Sequence, residues 1–309
     1  MRFLIIGVGA LGGYYGGMLQ KGGADVTFLV RPGRTSQLAA RGLTIKTVED
    51  EFTTSIKTVQ AGAVGGPYDV VFLACKAFDL DSAIDDFAPA LARDGAVLPV
   101  LNGIDHISVL SDRLGANRVL GGVNLFSVVR MSDGTINVPG VGSGETLFGE
   151  LTGERSARCE AIQAAFEAVG VRCAVHDNIL AEMWAKFSGF AAVAAFCTLT
   201  RGRFGDIAKA PAGAAFVVAT LDETARITAA EGYQQPMAIR NMYIRLAAQP
   251  DSDAAPSMLY DMENGRPTEG EHIFGDLVRR ADRLAVDAPI LRAALCNLQI
   301  YEAHRQAHA

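Results

Sequence analysis

A glycine-rich turn close to the start of the chain places the strongest constraint on its fold. Residues 2–6 form a short apolar run typical of a buried parallel strand. The turn that follows this run consists of Gly7, Val8, Gly9, Ala10, Leu11 and Gly12. In such a GxGxxG turn the first glycine permits a tight bend, the second lets the backbone approach a pyrophosphate, and the third lets the next helix pack on the strand. Since a second apolar run at residues 25–30 completes the spacing of a strand–helix–strand unit, we predict that this turn binds a dinucleotide.

The residue after the second predicted strand indicates which dinucleotide is bound. Sites for NAD usually have Asp or Glu there, which accepts a hydrogen bond from the ribose 2′-hydroxyl. This chain has Arg31 instead, with Arg34 three residues further on. Because a guanidinium can bind a 2′-phosphate through two parallel hydrogen bonds, the sequence predicts NADP(H). The alternative interpretation is that both arginines are solvated residues of a surface loop.

Composition limits the partners that the chain suits. With 309 residues, 50% of them hydrophobic, the chain is long enough for two domains with separate cores. The net charge is −6 and the basic residues are scattered among acids, so no nucleic-acid partner is expected. The longest apolar stretch, residues 187–199, lies between Lys186 and Arg201 and is too short to span a bilayer, so no membrane partner is expected either.

The cysteines indicate the redox environment. They are Cys75, Cys159, Cys173, Cys197 and Cys296. Their odd number, wide spacing and lack of a CxxC pair are typical of reduced, mostly buried thiols. We therefore expect a cytoplasmic protein without a metal site.

The first part of the chain has the pattern of an α/β domain. Strands are predicted at residues 43–47, 51–57, 68–75, 96–101 and 171–175, and helices at residues 80–91 and 156–169. Shorter β-rich runs between residues 118 and 148, separated by Asp133-Gly134 and a glycine-rich segment at 140–144, predict antiparallel strands that complete the sheet.

Polar or glycine residues follow four of the predicted strands. They are Gly7, Arg31, Lys76 and Asn102. Ligands of parallel α/β sheets bind beyond the carboxyl ends of the strands, so these residues are predicted to meet at one edge.

Strand patterns are absent from the sequence after residue 178. Helices are predicted at residues 179–199, 212–231, 236–248, 257–264, 270–284 and 289–304. The predicted fold is therefore α/β, with a Rossmann-type dinucleotide-binding domain at residues 1–177 and an all-helical C-terminal domain at residues 178–309.

One lysine lies within the long apolar helix predicted at residues 179–199. Burial of an ammonium group lowers its pKa, which would make Lys186 a better general acid at neutral pH. However, Glu182 and Lys186 also have the i,i+4 spacing and order of a stabilising ion pair on a helix. The pattern alone leaves both interpretations open.

Residues 256–269 form a second polar segment. Ser257 is suited to cap a helix that ends near Gly265 and Pro267, and Glu269 to begin the next helix. Nothing in the spacing of this segment makes its residues catalytic.

Several segments together resemble a known family. They are residues 7–12, Arg31, Lys76, Asn102-Gly103, Trp184-Ala-Lys186, Ser257-Met-Leu-Tyr-Asp261 and Pro267-Thr268-Glu269. Over nearly its whole length the chain is similar to the ketopantoate reductases, or 2-dehydropantoate 2-reductases. The resemblance implies reduction of the 2-oxo group of ketopantoate by NADPH to give pantoate, a step of pantothenate biosynthesis.

The same resemblance implies a role for each matching residue. Lys186 matches the catalytic lysine, the general acid toward the developing alkoxide. Glu269 matches the acid that orients this lysine and the cofactor, and Ser257 the residue that contacts the substrate carboxylate. Asn102 would reach the nicotinamide and the substrate, while Arg31 and Lys76 would bind the adenosine and phosphate end.

Two positions depart from the family pattern. Pantoate-forming members carry asparagines one and two turns after the lysine, where this chain has Phe190 and Ala194. A site that loses polar partners discriminates less well in favour of a polar substrate. This change in the predicted substrate wall favours, as an alternative, a more apolar 2-oxoacid or an imine.

A non-catalytic NADP(H)-binding sensor is the alternative from another class of protein. The apolar helices of the C-terminal domain also make a homodimer possible as an expectation.

Overall fold

The computed structural model describes residues 1–139 and 145–308, which form two compact units. The first unit comprises Met1–Leu101 and His106–Glu182, and the second comprises Asn102–Asp105 and Met183–Ala309. The domain limits 1–177 and 178–309 remain a prediction. The predicted glycine-rich break at residues 140–144 lies outside the described residues.

The first unit contains strands and helices in alternation. Its strands are β1 (Arg2–Ile6), β2 (Asp25–Leu29), β3 (Leu43–Lys46), β4 (Glu51–Thr54), β5 (Lys57–Val59), β6 (Tyr68–Leu73), β7 (Leu91–Pro99), β8 (Leu120–Asn124), β9 (Val129–Arg130), β10 (Ile136–Asn137), β11 (Thr146–Glu150) and β12 (Cys173–Val175). The helices of this part of the chain are α1 (Ala10–Lys21), α2 (Pro32–Arg41), α3 (Leu80–Phe87), α4 (Asp105–Leu114) and α5 (Ala157–Glu167).

The central sheet is parallel and has the strand order β5-β2-β1-β6-β7. Its middle strand, β1, is buried from Phe3 to Ile6, as expected of a strand covered on both faces. Helix α1 packs on this sheet through the fully buried Tyr15, whose ring centroid lies 4.6 Å from that of Phe72 in β6. The predicted Rossmann-type fold of the N-terminal region is thus confirmed.

The antiparallel strands were predicted in the right region, but they belong to two further sheets. Strands β8 and β11 pair antiparallel, β12 pairs parallel with β11, and a single bridge between Val97 and Val119 links this sheet to β7. Strands β9 and β10 instead join β3 and β4 in a separate four-stranded sheet. Only the sheet of β8, β11 and β12 is therefore linked to the central sheet, through that one bridge.

Several predicted bounds were wrong. The predicted strand 51–57 is two strands, because Lys57 begins β5 beside β2, while β4 pairs with β3. Strand β7 begins at Leu91, which was predicted to end a helix, and not at residue 96. Helices α2 and α4 were not predicted; α2 buries only Leu38, so its apolar pattern is weak.

The cysteines are free thiols, as predicted. Cys159, Cys173 and Cys197 are buried, Cys75 is half-buried and Cys296 is exposed. Burial raises the pKa of Cys173 and of Cys197 to about 12, so these thiols stay protonated and inert at neutral pH.

The described part of the second unit is helical, which confirms the all-helical C-terminal domain. Its helices are α6 (Ile179–Thr200, whose first turn lies in the first unit), α7 (Phe204–Lys209), α8 (Gly213–Ala230), α9 (Met237–Ala247), α10 (Ser257–Glu263), α11 (Asp276–Leu284) and α12 (Pro289–Ala307). A π-helical turn, Glu271–Gly275, precedes α11. Helix α7 was missed because it is only six residues long.

Helix α6 is the core helix of the second unit. Its residues Ala192, Val193, Phe196 and Cys197 are buried in a cluster that includes Leu221. By length and composition alone α6 could cross a membrane, but 72% of its most apolar window is buried inside the protein, which is typical of a core helix.

Candidate functional site

The glycine turn has the geometry that a dinucleotide requires. Gly7 lies between the ends of β1 and β6 with φ +88°, and a Cβ there would be 2.7 Å from Ala74 O. A Cβ on Gly12 would be 2.1 Å from Gly7 O, so this residue must be glycine for α1 to approach the turn. A Cβ on Gly9 would meet nothing within 4 Å, so the backbone is open on that side.

The start of α1 is also suited to a phosphate. Gly9 is the N-cap of α1, and it offers no side chain that could satisfy the first amides. The first turn of the helix carries no acidic residue. The amides and the positive end of the helix dipole therefore remain available to a pyrophosphate on the open side of Gly9.

Three of the four predicted strand-end residues belong to the first unit. Gly7, Arg31 and Lys76 follow β1, β2 and β6, which are neighbours in the parallel sheet. Lys76 precedes a short 3-10 turn, Ala77–Asp79. Asn102 follows β7, but it belongs to the second unit.

The two arginines differ in environment. The Arg31 side chain is 75% exposed and its Nη2 forms an ion pair with Asp79 Oδ1. Arg34 is half-buried and donates from Nη1 to Gln37 Oε1 on the same helix. Burial, together with the nearby charge of Arg130, lowers the pKa of Arg34 from its usual value. Arg31 is therefore the more accessible of the two.

Lys186 is the central titratable group of the second unit. It is half-buried in α6, and burial lowers its pKa to about 8. Its Nζ makes no hydrogen bond or ion pair with any residue in the described ranges 1–139 and 145–308. Among the described residues the predicted ion pair with Glu182 is not formed. Glu182 Oε1 lies 3.7 Å from His176 Nε2 instead. The structure thus favours the amine with a lowered pKa over the ion pair, and the role of Lys186 as general acid stays a prediction.

Glu269 is buried, with 7% of its surface exposed, just before the π-helical turn. The neighbouring Thr268 is anchored by Glu302 of α12, whose Oε1 accepts hydrogen bonds from Thr268 N at 2.6 Å and Oγ1 at 2.8 Å. Glu302 in turn accepts a hydrogen bond from Arg305 Nε at 2.9 Å. This support of the Glu269 segment was missed, because residues so far apart in the chain give no local signal.

His272 is a second residue that the sequence did not single out. Its Nε2 lies 2.9 Å from Asn102 O, within hydrogen-bond distance. Gly103 has φ +91°, and a Cβ on it would be 2.7 Å from the same nitrogen. The imidazole therefore packs directly on the Asn102-Gly103 backbone. The clearest local clue was the glycine after Asn102, which marks a close approach.

The two positions of α6 that lie one and two turns after Lys186, the predicted substrate wall, are apolar. Phe190 is half-buried and Ala194 is fully buried, and Tyr243 of α9 packs on Gly189, where a Cβ would be 2.0 Å from its ring. Burial raises the pKa of Tyr243 to about 12, so its hydroxyl stays neutral. On α6, Ser188 is buried and accepts a hydrogen bond from Gln235 Nε2 at 3.0 Å.

Ser257 is exposed as the first residue of α10, while Pro256 is the N-cap. The interpretation of Ser257 as a helix cap is therefore wrong, and its hydroxyl remains exposed. No group of three His, Cys, Asp or Glu side chains within the described ranges is arranged to hold a metal ion.

A Rossmann-type unit with an open glycine turn, followed by a helical unit with a half-buried lysine, is typical of NAD(P)-dependent oxidoreductases. Residues 3–153 match the family model "Ketopantoate reductase PanE/ApbA", and residues 178–302 match the model for its C-terminal part. The chain belongs to the ketopantoate reductase family. It is accordingly an NADP-dependent oxidoreductase that acts on a CH–OH group, and 2-oxoacid reduction is the activity of the family.

Individual relatives cover almost the whole chain. The uncharacterized oxidoreductase YkpB of Bacillus subtilis is 34% identical over 99% of this chain and 100% of its own length. A 2-dehydropantoate 2-reductase of Archaeoglobus fulgidus is 28% identical over 95% of both chains. A solved D-mandelate dehydrogenase, in complex with NADH and anilino(oxo)acetate, shares the fold with a TM-score of 0.88 and 21% identity over 99% of both chains.

Proposed function

We propose that this protein reduces 2-dehydropantoate to pantoate with NADPH, and that Lys186 is the general acid. The observation that carries the proposal is the half-buried Lys186, which has no partner among the described residues and whose pKa burial lowers to about 8. Such an amine is still largely protonated at neutral pH, yet it gives up its proton far more readily than an exposed lysine.

The cofactor would be held by the first unit and the loop after β7. Residues 7–12 would bind the pyrophosphate, Arg31 and Lys76 the adenosine and phosphate end, and Asn102 the nicotinamide side. The open side of Gly9 and the uncapped start of α1 support this assignment. When bound, the reduced nicotinamide supplies the hydride.

The chain's own residues would supply the proton and the orientation. As hydride adds to C2 of the oxoacid, the electron pair of the carbonyl bond moves to its oxygen, and Lys186 Nζ donates a proton to that oxygen. The positive charge of Lys186 also stabilises the oxygen before the proton is transferred. The product is a 2-hydroxyacid, and Lys186 regains its proton from solvent.

Two further residues complete the proposal. Glu269 would orient Lys186 and the cofactor, and the exposed hydroxyl of Ser257 would donate a hydrogen bond to the substrate carboxylate. Glu269 and Lys186 do not hydrogen-bond to each other in the structure described, so the orienting contact would form when the ligands bind.

The test is NADPH oxidation with 2-dehydropantoate, compared among the wild type, Lys186→Met and a control, Lys209→Met, at the exposed end of α7. We expect Lys186→Met to lower kcat by about a hundredfold to ten-thousandfold while NADPH still binds, and Lys209→Met to behave as wild type. Equal turnover by all three proteins would refute the role of Lys186. NADPH binding without turnover of any 2-oxoacid would favour the sensor hypothesis.

A more apolar 2-oxoacid, or an imine formed from one, is the second candidate substrate. Phe190 and Ala194 favour it, because they offer no hydrogen bond to the polar groups of pantoate. If this wall is the obstacle, Phe190→Asn should raise kcat/KM for 2-dehydropantoate by about tenfold and lower it for an apolar 2-oxoacid. An unchanged ratio of the two kcat/KM values would exclude the wall as the cause of selectivity.

We also propose a cytoplasmic location, a role in pantothenate biosynthesis and a homodimer formed through the helical unit. Exposed methionines on α9, Met237 and Met242, are apolar surface that a second copy would cover. Sedimentation equilibrium should give twice the chain mass, and a monomer at all concentrations would exclude the dimer.

A further inference from the structure

The ion pair between Arg31 and Asp79 bears directly on the choice of cofactor. Asp79 ends the 3-10 turn that follows β6, and its carboxylate contacts the guanidinium of Arg31 at the end of β2. These two strands lie on either side of β1, the strand that leads into the glycine turn. The carboxylate thus stands at the place in the fold where the adenosine ribose of a dinucleotide is recognised.

Asp79 has opposite effects on the two nicotinamide cofactors. A 2′-phosphate carries a charge of about −1.5 to −2 at neutral pH, so a carboxylate beside Arg31 both repels it and competes for the guanidinium. The ribose of NADH instead has a free 2′-hydroxyl, which donates to a carboxylate. The position thus combines an arginine that favours NADPH with an aspartate that favours NADH.

The neighbouring Arg34 does little to offset this balance. Its Nη1 is bonded to Gln37, and its Nε is buried. Asp79, by contrast, is only 29% exposed and is held by the start of α3, where its backbone O accepts a hydrogen bond from Ser82 Oγ at 3.0 Å. The backbone that carries the carboxylate is therefore anchored, and the carboxylate itself contacts Arg31.

We propose that Asp79 is a specificity-determining residue that lets this protein use NADH as well as NADPH. It holds Arg31 when no phosphate is present and accepts the ribose 2′-hydroxyl when NADH binds. The inference rests on the proposed nucleotide site at residues 7–12 and Arg31.

Asp79→Asn is a clean substitution because the Asp79 side chain makes no capping hydrogen bond to α3. Titrations of the apoprotein with NADPH and with NADH, followed by cofactor fluorescence, give both Kd values without any turnover. We expect the Kd of NADPH to fall about fivefold, because the variant no longer repels the 2′-phosphate or competes for Arg31. The Kd of NADH should rise about fivefold, because the ribose 2′-hydroxyl loses a charged acceptor. The matched control is Asp81→Asn on α3, an 85% exposed carboxylate 3.5 Å from Arg113, which should change neither Kd.

Opposite shifts for the two cofactors support the inference, since a purely structural role would move both Kd values in the same direction. An unchanged ratio of the two Kd values in Asp79→Asn overturns it.

A third variant, Arg31→Ala, tests the underlying site: it should weaken NADPH binding about tenfold and NADH binding little. If Arg31→Ala weakens NADPH binding while Asp79→Asn leaves the ratio of the two Kd values unchanged, the phosphate site stands and the role of Asp79 in specificity is excluded. If Arg31→Ala leaves NADPH binding intact, the proposed phosphate site is wrong, and the inference falls with it.

Discussion

Replacement of Lys186 by methionine should stabilise the folded protein although it lowers kcat. Lys186 is half-buried without a counter-ion among the described residues, and burial lowers its pKa from 10.5 to about 8. This shift corresponds to about 3 kcal/mol of unfavourable free energy for the charged amine in the folded state. Methionine keeps most of the apolar stem and removes the charge, so the free energy of unfolding near pH 7 should rise by up to about 3 kcal/mol.

The stability advantage of Lys186→Met over the wild type should decrease as the pH rises. The pKa of Lys186 is lower in the folded chain than in the unfolded chain, so between about pH 8 and pH 10.5 the unfolded state binds more protons. Below about pH 8 the wild type carries the whole cost of burying the charged Lys186 amine. Above that pH the folded amine loses its proton, so the free energy of unfolding of the wild type rises relative to that of Lys186→Met. The difference in free energy should fall to about half of its neutral value near pH 9.3, midway between the two pKa values.

Urea unfolding of both proteins at several pH values, followed by circular dichroism, measures this difference. Lys209→Met is the matched control, because Lys209 is exposed and its removal relieves no burial. The reasoning would be refuted if Lys186→Met were less stable than wild type at neutral pH, or if its advantage did not shrink as the pH rises.

Three further predictions concern the same site and the glycine turn. For the reduction, kcat/KM should fall about tenfold per pH unit above about pH 8 as Lys186 loses its proton; a flat profile to pH 10 would contradict this. Glu302→Ala removes both acceptor contacts to Thr268, so it should cost about 1–3 kcal/mol of stability. Because it loosens the segment of Glu269, it should also lower kcat and raise the Kd of NADPH; unchanged urea unfolding would argue against it. Gly9→Ala should fold normally but bind NADPH weakly, whereas Gly12→Ala should lose thermal stability because its Cβ would lie 2.1 Å from a carbonyl oxygen. If the two variants behave alike in thermal melts and NADPH titration, the assignment of the turn is contradicted.

Local patterns were sufficient where the structure depends on neighbouring residues. The strand, glycine turn and helix at the start of the chain were predicted from apolar runs and glycine spacing alone. The long apolar helix α6 was likewise predicted to within one residue of its end at Thr200. Helix α2 was missed because a single buried residue, Leu38, gives almost no periodicity. Helix α4 buries His106, Ile107 and Leu110, a spacing that the sequence does contain.

Sheet membership could not be predicted in the same way. Residues 51–57 look like one strand in the sequence, yet Lys57 begins a strand that pairs with β2, while Glu51–Thr54 pairs with β3. Both segments have β-forming residues. Their partners depend on where the rest of the chain has folded, which no local pattern specifies.

The sequence by itself determined the dinucleotide turn, the α/β and helical halves, and the identity of the residues available for chemistry. Only the tertiary structure decided which charged groups have partners. It turned Glu182 toward His176 and left Lys186 unpaired among the described residues, and it brought Asp79 to Arg31 and His272 to the Asn102 backbone. Backbone preferences are set by adjacent residues, whereas the pKa of a buried amine or the partner of a carboxylate depends on groups that are distant in the chain and meet only after folding.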